Sequence, residues 1–95
     1  MDSPKAAFYG ILMPMKKMQQ IITVQIQYMK EGDTAVVYSP ALEISGYGKT
    51  LPEAQVDFHI AVKIFIEETT ASGTLDKALQ ALGWKRIDHR WQPQI

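Results

Sequence analysis

The stretch Ser39-Pro40-Ala41-Leu42-Glu43-Ile44-Ser45-Gly46-Tyr47-Gly48-Lys49-Thr50-Leu51-Pro52-Glu53-Ala54 joins a strand, a two-glycine bend and a complete helix start, and no other part of the chain constrains the fold as strongly. Thr50 stands as N-cap with Glu53 three residues on, the capping-box spacing in which each side chain satisfies an otherwise orphaned backbone N–H. Pro52 falls in the first helical turn, where no N–H is needed. Gly46 and Gly48 allow backbone conformations or close approaches that a Cβ would block, so the chain can turn sharply from sheet to helix.

Of the 95 residues, 46% are hydrophobic and 21% charged, which suits one small globular domain with a single core. The expected division is an N-terminal extension over 1–18, a domain over 19–91 and a short tail over 92–95. Ten Lys+Arg balance ten Asp+Glu, so no global field draws the chain onto a polyanion or a charged membrane. Cysteine is absent, which excludes disulfides and thiolate metal sites and fits a reducing cytoplasm. Phe8-Tyr9-Gly10-Ile11-Leu12-Met13-Pro14-Met15 is apolar but broken by Gly10 and Pro14. It is far shorter than the roughly 20 residues of a membrane span, and Lys16-Lys17 follows it where a secretory signal would carry a small-residue cleavage site. The expectation is a cytoplasmic protein with a cytosolic extension, in which Met13, Met15 and Met18 each offer an alternative start.

From Gln19 to Tyr28 the residues alternate, Ile22, Val24, Ile26 and Tyr28 on one face and Thr23, Gln25 and Gln27 on the other, the period of a half-buried strand. Lys30-Glu31-Gly32-Asp33 supplies turn chemistry, and Thr34–Tyr38 returns to complete a hairpin. Pro40 cannot donate to a ladder and marks a break before a third short strand near Leu42–Ser45. The helix opening at Leu51 is predicted to run to about Thr69, with Leu51, Ala54, Phe58, Ala61, Val62 and Phe65 facing the sheet. Thr74 is placed to cap a short helix ending near Leu82, with Gly83 beyond it. Trp84–Trp91 reads as one last strand returning to the same sheet, with Ile87, His89 and Trp91 on one face. The predicted fold is α+β, a small mostly antiparallel sheet of three to four strands with one long and one short helix on one face, in the order β-β-β-α-α-β.

Tyr38-Ser39-Pro40-Ala41-Leu42, then Gly46, Gly48, Thr50, Glu53 and Ala54, resemble the HicB-like antitoxin domain, and the resemblance extends from about Ile21 to Trp84 through Leu82-Gly83-Trp84. It implies a degenerate ribonuclease-H-like fold and a non-catalytic partner that covers the active surface of a small RNA-cleaving toxin of the HicA type. Two departures from the family pattern stand out: Ser45 and Tyr47 stand near the glycines where many members carry a cysteine, and Lys49 replaces an aspartate before the threonine. Many members also add a C-terminal helix-turn-helix or ribbon-helix-helix module, whereas only Gln92-Pro93-Gln94-Ile95 follows Trp91 here. Four residues cannot form a recognition helix, so DNA binding is not expected of this chain alone. In this reading Pro40, Gly46, Gly48, Thr50 and Glu53 are structural.

An enzyme would have to work with carboxylates and two histidines, because the chain has no cysteine nucleophile, phosphate-cradling loop or His-x-x-x-His pair. The strand Ile21–Tyr28 contains no acid, where a ribonuclease-H-like nuclease needs converging carboxylates on a divalent metal. No catalytic residue, metal or cofactor is expected. Glu43, Glu53, Asp57, Glu67 and Glu68 fit a cap, a solvated helix face and local ion pairs, and His59 and His89 fit surface or packing positions. Trp84 and Trp91 bracket Lys85, Arg86, His89 and Arg90, an aromatic–basic cluster that would suit a stand-alone RNA-binding module. Val56, Ile60 and Ile64 form a second helical stripe nearly opposite the first. Either a protein partner or a second copy covers it, as in a homo-oligomer, or the short helix or Phe8, Ile11 and Leu12 fold across it.

Overall fold

A computed structural model of the chain describes residues 5–14 and 19–94. Four antiparallel strands, β1 (Lys5–Met13), β2 (Gln20–Glu31), β3 (Thr34–Ser39) and β4 (Ile44–Gly48), lie in sequential order in one sheet. Two helices follow, α1 (Leu51–Ser72) and α2 (Leu75–Ala81). A separate hairpin of β5 (Lys85–Ile87) and β6 (Arg90–Gln92) ends the described chain. The class is α+β, and the element order is β-β-β-β-α-α-β-β.

The largest correction lies at the N-terminus, where much of the expected extension is a sheet strand. Residues Lys5–Met13 pair with β2 without interruption, from Lys5 opposite Tyr28 to Met13 opposite Gln20. Ile11 and Met13 enter the core while Phe8 and Leu12 face out. An all-apolar run hides the two-residue period that a polar outer face would display. Pro14 follows the last strand residue and so does not break the ladder. Residues 15–18, with the alternative starts Met15 and Met18, lie outside the described residues.

β2 buries Ile22, Val24 and Ile26 as its alternation requires, and the β2–β3 turn uses Gly32 at φ +61°. Pro40 sits in the turn between β3 and β4, where the buried Ser39 anchors the bend: its carbonyl accepts from Glu43 N at 2.8 Å and its Oγ from Leu42 N at 3.3 Å. The third predicted strand is therefore displaced to Ile44–Gly48, and Gly46 and Gly48 lie within it. They act by close approach. A Cβ on Gly46 would stand 2.3 Å from Phe58 N and 2.5 Å from Ala54 O, so the glycine lets α1 rest directly on the strand.

Thr50 caps α1, its Oγ1 accepting from Glu53 N at 3.3 Å in extended backbone geometry. The return half of the capping box differs from the expected one, since Glu53 Oε2 accepts from Lys49 N at 2.9 Å. Gly73 ends the helix at φ +72°, its left-handed backbone free of a Cβ clash. The buried stripe is Ala54, Phe58, Val62 and Ile66; Ala61 and Phe65 are half-buried and Leu51 is exposed, so the face is rotated slightly from the predicted one. Thr74 makes no side-chain cap on α2, and its Oγ1 lies 2.7 Å from Ser72 Oγ instead.

The predicted final strand is a hairpin and does not rejoin the main sheet. Asp88 and His89 both take positive φ, +52° and +66°, the requirement of a two-residue turn whose twist matches its strands. Such a turn usually carries glycine, and its absence makes the segment read as continuous. The hairpin is tied to β2 by Gln20, whose Nε2 donates to Trp91 O at 3.2 Å and whose Oε1 accepts from Trp91 N at 3.3 Å.

Candidate functional site

α1 carries the expected interface residues. Its inner stripe packs on β4 and β3 with Gly46 as the closest point. Val56, Ile60 and Ile64 project from the opposite side and are 60%, 49% and 48% exposed. The structure brings the three together on one face at i, i+4 and i+8, and the intramolecular cover considered from sequence does not form among the described residues. Ile11 is in the core, Phe8 and Leu12 are on the far side of the sheet from α1, and α2 packs its own buried Leu75 and Leu79 into the core.

The flanks of this stripe are polar and positioned. On the β4 side Asp57 Oδ2 accepts from Tyr47 N at 2.8 Å, so a helix carboxylate satisfies an edge-strand donor. Toward β1, Lys63 and Glu67 lie 4.0 Å apart as an exposed i, i+4 pair, which contributes little on its own. On the β1 side the Tyr9 hydroxyl hydrogen-bonds His59 Nδ1, and the Tyr9 ring meets Phe58 edge to face at 5.2 Å. Burial pushes the Tyr9 phenol above its ordinary range. Tyr9 falls within the expected N-terminal extension, so the sequence does not mark it as a site residue; its two-residue spacing to Ala7 and Ile11 is the signal that places it on the helix face.

The aromatic–basic cluster is taken apart by the C-terminal hairpin. Trp84 and Trp91 are 3% and 2% exposed and belong to the core, with Trp84 Nε1 donating to Ala41 O at 2.7 Å. Arg86 lies over the Trp91 ring at 5.6 Å and approaches Asp76 at 3.8 Å. Lys85, Arg86, His89 and Arg90 are exposed, but neither indole offers a free ring face on which a base could stack. Trp91 Nε1 is buried with no hydrogen-bond acceptor among the described residues. Pro40, Gly46, Gly48, Thr50 and Glu53 all occupy structural turn, contact or cap positions.

Among the described residues no three His, Asp or Glu side chains gather as a metal site, and no helix is long and apolar enough to cross a membrane. A groove of about 520 Å³ runs between β1 and α1, with Tyr9, Ile11, Val62 and Ile66 among its lining residues and His59 and Lys63 at its rim. Fold and surface together define a small α+β protein with exposed apolar faces. Comparison with protein-family models, with curated proteins and with solved structures returns no match.

Proposed function

We propose that this protein is a non-catalytic HicB-like, antitoxin-type domain that acts in the cytoplasm, self-associates, and binds a small RNA-cleaving toxin of the HicA type so as to mask its active surface. The observation that carries the reading is the stripe Val56, Ile60 and Ile64, an apolar face on a capped 22-residue helix whose other side is already committed to the sheet. Burying such a face is worth about 25 cal/mol per Å² of apolar surface, the usual driving force of association. Masking needs no chemical step; the partner loses access to its RNA substrate by coverage. The Ser39–Ala54 motif supports the reading by its resemblance to the HicB-like scaffold.

The test is co-expression with the product of any small, basic toxin-like reading frame adjoining the gene. The expected results are co-purification, protection of RNA from the toxin, and loss of both in Ile60→Asp with thermal stability unchanged. A toxin neighbour whose product neither co-purifies nor is inhibited would overturn the reading.

A further inference from the structure

The two edges of the sheet are managed in opposite ways. β4 is short, five residues with two glycines, lies under α1, and has its outward Tyr47 N–H satisfied by Asp57. β1 is nine residues, about 30 Å, and carries no Lys, Arg, Asp, Glu or Pro from Ala6 to Met13. Its register with β2 runs without a bulge along the free edge. Natural sheets blunt exposed edges with charge, proline, bulges or a covering element, because an open edge presents unpaired N–H and C=O groups to any other strand. From Ala6 to Met13 β1 has none of the first three, and among the described residues nothing pairs with its outer side.

We propose that β1 is the pairing edge of a homodimer, two copies joining β1 to β1 antiparallel about a two-fold axis at Gly10 to make one continuous sheet. The occupant follows from the strand itself, since Phe8-Tyr9-Gly10-Ile11-Leu12 is nearly palindromic in apolar character. With Gly10 opposite Gly10 of the partner subunit, Phe8 falls opposite Leu12 of the partner subunit on the outer face, and Tyr9 opposite Ile11 of the partner subunit on the helix face. Phe8 and Ile21 are the two most exposed large apolar side chains among the described residues, 76% and 69%, and Ile21 is the β2 neighbour of Leu12. The pairing therefore covers Phe8, Leu12 and Ile21 in one row on each side of the axis. On the other face it brings the partner's Tyr9 and Ile11 to the mouth of the groove between β1 and α1.

A slip of one residue would set the helix layers of the two copies on opposite faces of the sheet and oppose apolar groove residues to the outer row. The formal net charge of zero and the uncharged run Ala6–Met13 oppose no self-approach. This inference rests only on the self-association part of the proposed function, and it leaves the helix stripe free for the toxin.

The chain has no cysteine, so Gly10→Cys introduces a single thiol, and a Cβ there meets nothing nearer than Ile21 Cγ2 at 3.8 Å. Directly opposed Cα atoms in an antiparallel pair are about 4.5–5.5 Å apart, within disulfide reach. Mild oxidation should convert Gly10→Cys nearly completely to a reducible dimer on a denaturing gel, while Tyr47→Cys on the other edge stays monomeric; equal cross-linking of the two would overturn the proposal. Light scattering should find twice the monomer mass for the wild type, monomer for Phe8→Lys/Leu12→Lys, and dimer again for Phe8→Lys/Leu12→Glu, where each introduced lysine meets an introduced glutamate. A monomeric wild type, or the same mass for both double variants, overturns it as well. Ile60→Asp should keep the dimer whether or not any toxin binds; dissociation by that change alone would move self-association to the helix.

Discussion

The Tyr9 hydroxyl and His59 Nδ1 stand 2.5 Å apart, a hydrogen bond that ties the first strand to the middle of the long helix across 50 residues of chain. It places Tyr9 against Phe58 and closes one end of the groove beside β1.

That placement predicts an alkaline effect. Burial raises the Tyr9 phenol above the ordinary value of 10.0, so the folded chain keeps this proton to higher pH than the unfolded chain does. The associated stability is whole below about pH 10 and is lost as pH climbs through the raised value, because there the unfolded state binds fewer protons. Tyr9→Phe should cost about 1 kcal/mol at neutral pH by loss of the hydrogen bond. Its thermal midpoint should approach that of the wild type between pH 8 and pH 11; a gap that does not change with pH would contradict the assignment.

Gly46 is the point at which α1 touches the sheet. A methyl group there meets only backbone, Phe58 N, Phe58 Cα and Ala54 O, none of which can rotate away. Gly46→Ala is expected to cost about 3 kcal/mol or more in urea unfolding, the upper part of the overpacking range. Gly10→Ala, with its nearest neighbour at 3.8 Å, should lie within about 0.5 kcal/mol of wild type.

Asp57 should matter through Tyr47. Asp57→Ala frees the β4 N–H that the carboxylate now holds at 2.8 Å, and a charge-assisted bond of this kind contributes about 1.5–3 kcal/mol at most, less at an exposed position. Amide exchange at Tyr47 should accelerate by an order of magnitude or more while β2 amides stay protected. Unchanged protection at Tyr47 would show that the carboxylate is not its partner in solution.

Gln20 holds the C-terminal hairpin through both backbone groups of Trp91. Gln20→Ala leaves two buried groups unpaired and should destabilise by about 2 kcal/mol, with tryptophan fluorescence shifting to the red as Trp91 gains water. A variant of wild-type stability and emission would mean that the hairpin is held by apolar contact alone.

Much of this was legible in the chain. The hairpin of β2 and β3, the Thr50 start of α1, the second stripe at Val56, Ile60 and Ile64, and the α+β class follow from local periodicity and cap chemistry, which act over a few residues, whereas α1 runs past the expected Thr69 to Ser72. β1 was hidden because every residue near its centre is apolar or glycine, leaving no contrast from which to read a face. The Asp88–His89 turn was hidden because neither residue is glycine, although both take the left-handed backbone. Gly46 and Gly48 stand out in the sequence as a bend, whereas in the fold they serve a close contact with α1.

Sequence alone therefore determined where α1 begins, which face of β2 is buried, and that α1 carries apolar residues on two sides. Only the tertiary structure decided which of those faces are already occupied: it put the first strand beside β2, sent the tryptophans inward, left Val56, Ile60 and Ile64 outside, and opened one sheet edge while guarding the other. The reason is physical. Caps and periodicity are set by neighbours within one or two turns of chain, whereas burial and edge pairing depend on contacts between segments tens of residues apart, and no short window of sequence contains both partners.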